Sequence, residues 1–420
     1  KSLMLFLYRI LINIIFILSP LIIIFRLLKK KEHLKRFKEK FCFFSKNRGK
    51  GNVIWFHGAS VGELQSIVPL LEKLEKNKKI NKILITSNTL SSSKVLEKLN
   101  LNKIIHQFFP IDTDFHTKKF IDYWKPSSAF FIDSEIWPNM YINLKKNQTP
   151  VILLNGRITK KSFNRWKSFP NFSKKIFQIF SLCLSSSMES KKNLKFLGAK
   201  NIKYVGNLKF SQSENEKIII NKSLKKLINT RKSWCASSTH KTEERFCGLV
   251  HIELKKKYKD LLTIIIPRHI ERVDSIEKEL NSLNLKIHRH ESKKKINKNI
   301  DIYIVDSYGK TKSFYYYCKN IFLGGSIIHH GGQNPLEATR YGCNILHGPN
   351  TSNFTEIYNF LKKNKISYEV NNQKKMIMFL MKLLSTKPSS KKLQKKLNLI
   401  GQKILENTYK EIKQVLKNDI

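Results

Sequence analysis

The sequence predicts an α/β protein of two doubly wound halves with a cleft between them, preceded by a hydrophobic helix. Three observations carry this. After residue 51, short β-branched or aromatic runs alternate with longer amphipathic segments, the pattern of βαβ units around a parallel sheet. The runs are continuously apolar, as strands buried on both faces require. The series occurs twice across a polar stretch at 211–217, and 420 residues suit two domains better than one.

The elements follow in order. Residues 1–30 form the first. Positions 3–28 are almost wholly apolar, broken by Arg9, Asn13 and Arg26, and the uncharged core at 10–25 is 16 residues long. That is short of the ~20 of a simple membrane span, although Arg9 can snorkel and Pro20 kinks a helix without forbidding it. Segment 31–50 is basic: from Arg26 to Lys50 there are eleven basic residues against two acidic ones. The positive-inside rule then places everything after residue 30 in the cytoplasm. A cleaved signal peptide lacks its small-residue site here, and a monotopic interfacial helix is the other arrangement the segment allows. The expectation is a single anchor or a deeply inserted helix.

Domain 51–210 carries strand-like runs at 52–57, 83–86, 104–109, 129–133, 151–155, 182–185 and 202–205, with helices such as 64–74 and 94–99. Residues 211–231 read as a linker. Domain 232–390 repeats the pattern with runs at 233–237, 262–267, 285–288, 302–305, 321–323 and 344–346. Both domains read as Rossmann-like. Segment 391–420 is a basic amphipathic helix without legible chemistry.

Lys and Arg number 79 against 31 Asp and Glu, a formal charge of +48 that suits nucleic acid, an anionic membrane or an anionic substrate. Lysine is spread through nearly every segment, and no arginine-rich tract or nucleic-acid module stands out, so much of it reads as solvated surface. The 41% hydrophobic content excludes global disorder. Six cysteines without C-x-x-C, and without histidines at ligand spacing, read as reduced cytosolic thiols and not as a zinc site.

Ligands of open α/β sheets sit at the carboxyl ends of strands, where six constellations fall. His57-Gly58-Ala59-Ser60-Val61-Gly62-Glu63 ends the first strand. Its Ser60-x-x-Glu63 spacing is a capping box; the functional reading makes Glu63 a general base, with burial offsetting the helix terminus that lowers a carboxylate's pKa. Asp133-Ser134-Glu135-Ile136-Trp137-Pro138-Asn139 is either a cap and turn or places Glu135 in the cleft. Gly206-Asn207-Leu208-Lys209-Phe210 puts Lys209 beside it. Ser237-Ser238-Thr239-His240 opens a helix that can cradle phosphate, and Arg268 in Pro267-Arg268-His269-x-x-Arg272 can pair with phosphate or carboxylate. Last, Gly324-Gly325-Ser326 precedes Gly331-Gly332-Gln333-Asn334-Pro335-Leu336-Glu337-Ala338, a glycine-rich loop feeding a helix with Asn334 as N-cap, Pro335 at N1 and Glu337 at N3. It is neither a P-loop nor G-x-G-x-x-G, which disfavours a nicotinamide cofactor.

In order and spacing these motifs closely resemble the 3-deoxy-D-manno-octulosonic acid (Kdo) transferases of lipopolysaccharide synthesis, over nearly the whole chain to about residue 360. The resemblance implies a GT-B fold, with the acceptor bound mainly by the first domain and the donor by the second. It implies transfer of Kdo from CMP-Kdo to a lipid A precursor at the cytoplasmic face of the inner membrane, with no metal, cofactor or nucleic-acid partner. It also implies Glu63 as proton acceptor and Glu135 and Lys209 as transition-state stabilisers. CMP contacts fall on Pro267 and Arg268, on Tyr308, Gly309 and Lys310, and on Asn334, Pro335, Leu336 and Glu337. Two positions depart from the family: Gln333 stands where His is common, and Lys310 where Glu often follows Gly. Rival readings are another GT-B transferase using a UDP-sugar, separable by CMP against UDP competition, and a non-catalytic binder of nucleic acid or anionic lipid, which leaves the motif order unexplained.

Overall fold

The computed structural model describes residues 3–29, 31–97, 99, 101–212, 220–292, 295–386 and 390–419. Residues 213–217, the core of the expected linker, lie outside them. The chain divides into two compact units, Lys1–Gln212 with Ile400–Ile420, and Ser213–Leu399.

The first unit begins with α1, Leu3–Leu28, which runs through Pro20. It is the one helix among the described residues long and apolar enough to cross a membrane. The sheet that follows contains β1 Val53–His57, β2 Lys82–Ser87, β3 Ile104–Phe108, β4 Ser128–Ile132, β5 Val151–Gly156, β6 Phe180–Ser185 and β7 Ile202–Tyr204. All pairs are parallel, in the order β3-β2-β1-β4-β5-β6-β7. Every side chain of β1 and β4 is buried, because helices cover both faces of the sheet's centre. Among those helices are α2 Val61–Glu75, α3 Leu90–Glu97, α4 Asp114–Trp124 and α5 Pro138–Lys146. Trp55, Phe120, Phe131 and Tyr141 fill one layer of the core.

The second unit repeats the plan with β8 Ser233–Thr239, β9 Leu262–Pro267, β10 Ile287–Arg289, β11 Ile302–Ile304, β12 Asn320–Leu323, β13 Asn344–His347 and β14 Ser367–Glu369. Its parallel order is β10-β11-β9-β8-β12-β13-β14. Two seven-stranded parallel sheets in an α/β chain give the GT-B fold class expected from the sequence.

Three assignments change. Within the expected linker, Lys222–Thr230 is a helix, and its Leu224, Leu227 and Ile228 are buried in the second unit's core. The edge strand β14 was not expected. The C-terminal helix, Ser390–Asp419, is not a separate segment, since its residues from 400 onward pack with the first unit. Lys203 pairs with Glu411 at 2.6 Å, and Lys73 pairs with Glu406. Gly401 is required there: a Cβ at that position would lie 2.2 Å from the Phe210 carbonyl oxygen.

Candidate active site

In the first unit the chemistry gathers after β1, β4 and β7. Ser60 caps α2, its hydroxyl accepting from the Glu63 backbone N–H at 3.3 Å. The Glu63 carboxylate in return accepts from the Ala59 N–H at 2.7 Å and from the Ser60 hydroxyl at 2.9 Å. So the capping box forms, with the return bond shifted to the residue before the cap. Burial raises the Glu63 carboxyl to about 7, helped by Glu135 and Asp133 and opposed by the bonds from Ser60 and Ala59. Desolvation outweighs the helix terminus, leaving a carboxyl that exchanges its proton near neutrality.

Glu135 caps nothing. Trp137 is the N-cap of α5 without a side-chain bond, and Pro138 takes the first helical position. The Glu135 carboxylate accepts from the Trp137 indole N–H at 2.9 Å and meets His57 Nε2 at 3.2 Å. Behind His57 the Thr86 hydroxyl lies 2.9 Å from Nδ1 and 2.9 Å from the Trp55 indole N–H. The indole can only donate, so Thr86 accepts from it; at the other end the Glu135 carboxylate can only accept, which calls for a proton on Nε2 and, in a neutral ring, leaves Nδ1 to accept from Thr86. This buried chain, Trp55 to Thr86 to His57 to Glu135, fixes the carboxylate's position, and the sequence reading missed it.

Lys209 sits in a short 3-10 turn, Leu208–Ser211, and its Nζ lies 3.6 Å from Asp133. Burial raises the Asp133 carboxyl, against Lys209 first and then Arg157. Asp133 (φ +62°) and Asn155 (φ +54°) hold left-handed backbone at the ends of β4 and β5, a conformation unfavourable for side chains with a Cβ. The Asn155 side chain accepts from the Leu208 N–H at 2.9 Å, which ties the Lys209 turn to the sheet. Glu63, Glu135 and Lys209, far apart in sequence, thus line one edge of one sheet, with Asp133 and His57 among them.

The second unit gathers its candidates after β8, β9, β11 and β12, neighbours in the order β11-β9-β8-β12. Pro267 ends β9, and the exposed Arg268 donates its backbone N–H to the Thr239 carbonyl at 2.9 Å. Tyr308, Gly309 and Lys310 form an exposed turn after β11, where the Tyr308 hydroxyl donates to Glu271 at 3.2 Å. Arg272 is held bidentately by Glu244, at 3.1 and 3.0 Å.

The glycine-rich loop differs from expectation in two ways. The amides after its first glycine are already filled: the buried Glu243 carboxylate accepts from the N–H groups of Gly325 at 2.7 Å and of Ser326 and Ile327 at 3.1 Å, and also from that of His240 at 2.9 Å. Gly324 permits this, since a Cβ there would meet the Ser238 oxygen at 2.5 Å and the Thr239 Cα at 2.6 Å. The helix after the loop is also only Leu336–Arg340, with Pro335 and not Asn334 as N-cap. Asn334 instead accepts from the Leu336 N–H at 3.1 Å, a local turn bond. The fixed positive charge near His240 is that of Arg268 and Arg272. The His240 ring lies 4.2 Å from His330 and 5.8 Å from His269, and Gln333 Nε2 approaches His240 Nε2 at 3.4 Å. Burial lowers His240 to about 4, with His330, His269, Arg268 and Arg272 adding to the effect. Glu243 was missed because an acid in a helix's first turn ordinarily serves the helix dipole.

Solved structures with this fold include the UDP-GlcNAc 2-epimerase of Neisseria meningitidis, at TM-score 0.57 and 15% identity, covering 87% of this chain and 100% of that one. They define the class: a GT-B protein of two Rossmann-like units. Sequence comparison is more specific. Residues 35–212 match the family 3-Deoxy-D-manno-octulosonic-acid transferase (kdotransferase). The 3-deoxy-D-manno-octulosonic acid transferase of Rickettsia bellii is 32% identical over 376 residues, 88% of this chain and 89% of that protein. That of Haemophilus influenzae is 28% identical over 373 residues, 86% of each. The chain belongs to the 3-deoxy-D-manno-octulosonic acid transferase family.

Proposed function

We propose that this protein transfers Kdo from CMP-Kdo to a phosphorylated lipid A precursor, with inversion at the anomeric carbon. Family membership over most of the chain supports Kdo transfer. The observation that carries the mechanism is Glu63, a carboxyl held near neutrality by burial beside Glu135 and Asp133. In the reading, Glu63 accepts the proton of the acceptor hydroxyl as that oxygen attacks the anomeric carbon. The bond from that carbon to the CMP phosphate breaks, and the electron pair leaves with CMP. The His57-supported Glu135 meets the positive charge that develops on the sugar, and the Lys209 ammonium meets the sugar's own carboxylate. Arg268 and the groups around His240 meet the phosphate. Pro267, Tyr308, Gly309, Lys310, Asn334, Pro335, Leu336 and Glu337 are the proposed CMP contacts. The chemistry needs no metal in this reading, and the catalytic units work at the cytoplasmic face of the inner membrane.

The test is product mass after incubating detergent-extracted protein with CMP-Kdo and tetraacylated lipid A precursor. A gain of one or more Kdo units supports the reading and counts the transfers. Folded protein that binds CMP yet makes no product directs attention to another acceptor. Protein that binds UDP in preference to CMP overturns the donor assignment.

A further inference from the structure

The apolar helix α1 is held along its whole length by one soluble unit. Met4 and Leu5 pack against the first unit's core. The Tyr8 hydroxyl donates to Asp112 at 2.6 Å, and Arg9 donates to Asn139 at 2.9 Å and to Asp114 at 2.8 Å. The Phe16 ring meets His116 and Phe41, with centroids 4.8 and 6.0 Å away. Ser19 and Ile23 are buried, and Arg26 pairs at 2.6 Å with the buried Glu32. These positions recur every three or four residues, so they form one face of the helix.

That face fixes a topology. Tyr8 and Arg26 stand about 27 Å apart along a helix that rises 1.5 Å per residue, close to the roughly 30 Å of a bilayer's hydrocarbon core. If α1 crossed the membrane, Asp112, Asp114 and Asn139 would have to follow Tyr8 and Arg9 to its far side. Those residues belong to α4, α5 and the loop before α4, beside the sheet of a folded soluble unit. The contacts and a span exclude each other.

We propose that α1 lies in the plane of one leaflet, with its inner face on the first unit and its outer face in lipid. The outer face is apolar from end to end: Leu3, Phe6, Ile17, Leu21 and Leu28 are each at least 60% exposed. Leu34, Phe43 and Phe115 of the same unit are exposed as well, and Phe115 borders a groove of about 610 Å³ that Arg9, Asn13, Asp114 and Lys118 also line. Exposed lysines border the apolar face: Lys29, Lys31, Lys35, Lys118 and Lys119, the last with its ammonium 5.5 Å from the centre of the Phe43 ring. An apolar face rimmed by cations fits the acyl and headgroup layers of an anionic leaflet. The inference stands apart from the chemistry of transfer.

All six native cysteines are buried, so an added thiol is the accessible one for a membrane-impermeant maleimide. The full chain carrying Asn13→Cys is examined in sealed inside-out inner-membrane vesicles and in spheroplasts, with Leu28→Cys as the marker of the cytoplasmic face. An in-plane helix leaves position 13 in the groove it shares with Arg9, Asp114 and Lys118, on the headgroup side, labelled in intact inside-out vesicles and not from the spheroplast exterior. A span puts it inside the hydrocarbon, so labelling that requires detergent overturns the proposal. Leu3→Cys labelled from the spheroplast exterior overturns it too. Recovery of the chain as a detergent-free soluble dimer would show that a second copy covers the face, and would also overturn it.

Discussion

Glu63→Gln separates the chemical role of this side chain from its structural one. Burial, then Glu135 and Asp133, lift its carboxyl from 4.5 to about 7. Over that interval, at ~1.4 kcal/mol per pH unit, the ionised side chain destabilises the folded state by about 3 kcal/mol. The folded chain holds the proton more tightly than the unfolded chain does. The penalty is therefore absent below about pH 4.5, grows as pH climbs toward 7, and is complete above it. The amide of the variant escapes it but accepts through one oxygen, where the carboxylate accepts from both Ala59 and Ser60. Losing one such bond costs ~1 kcal/mol. The variant is thus expected to be more stable than the parent by about 2 kcal/mol at pH 8, an advantage that shrinks and reverses toward pH 4.5. Urea unfolding of both proteins at several pH values measures this, while product formation on the same preparations falls roughly 10²–10⁴-fold. A stability difference flat with pH refutes the buried-carboxyl argument. Full turnover by folded variant refutes the base.

Other perturbations address the second unit. Glu243→Ala leaves four backbone N–H groups without their acceptor. At ~1–3 kcal/mol for each buried orphan, and with water replacing some partners, a loss of at least about 3 kcal/mol is expected, read as a calorimetric Tm lower by roughly 6–12 °C. An unchanged Tm removes Glu243 from the loop's support. Gly324→Ala drives a Cβ into the Ser238 carbonyl and is expected to cost ~1–3 kcal/mol and weaken CMP binding by calorimetric titration. Unaltered stability and affinity contradict that packing. His240, lowered to about 4, is neutral at pH 7; CMP binding brings a phosphate toward it and is expected to raise its NMR titration midpoint by at least ~1 unit. A midpoint that CMP leaves in place puts the phosphate elsewhere.

What the sequence made legible follows from burial. β1, β4 and β9 were readable almost to the residue because parallel central strands are apolar on both faces. β14, Ser367–Glu369, is a three-residue edge strand ending in an exposed acid, and nothing in its composition separates it from a loop. The helix Lys222–Thr230 hides inside a lysine- and asparagine-rich stretch, where only Leu224, Leu227 and Ile228 keep helical spacing. The motif order also placed Glu63, Glu135 and Lys209 on one sheet edge, because ends of parallel strands share an edge by topology. The support for them was not legible. Thr86 and Trp55 lie 31 residues apart, and neither carries a motif.

The glycine-rich loop shows why local motif reading stops short of electrostatics. Clustered glycines before a helix signal free amides, hence an anion site. Whether those amides are free depends on a residue about 80 positions away, and here Glu243 takes three of them together with the His240 amide. A carboxylate at that point makes residues 325–327 a strut instead of a phosphate cradle. Attraction for an anion then has to come from Arg268 and from imidazoles that gain charge when the anion arrives. Gln333 suits that arrangement. Its amide nitrogen approaches His240 Nε2, a contact that is a hydrogen bond only when that nitrogen is unprotonated and can accept. The low titration of His240 and the amide at 333 therefore support each other. A histidine in place of Gln333 would set another titratable ring beside an imidazole that burial, His330 and His269 already hold low. Gln333 thus fits its surroundings, where burial and the neighbouring cations and imidazoles hold His240 low.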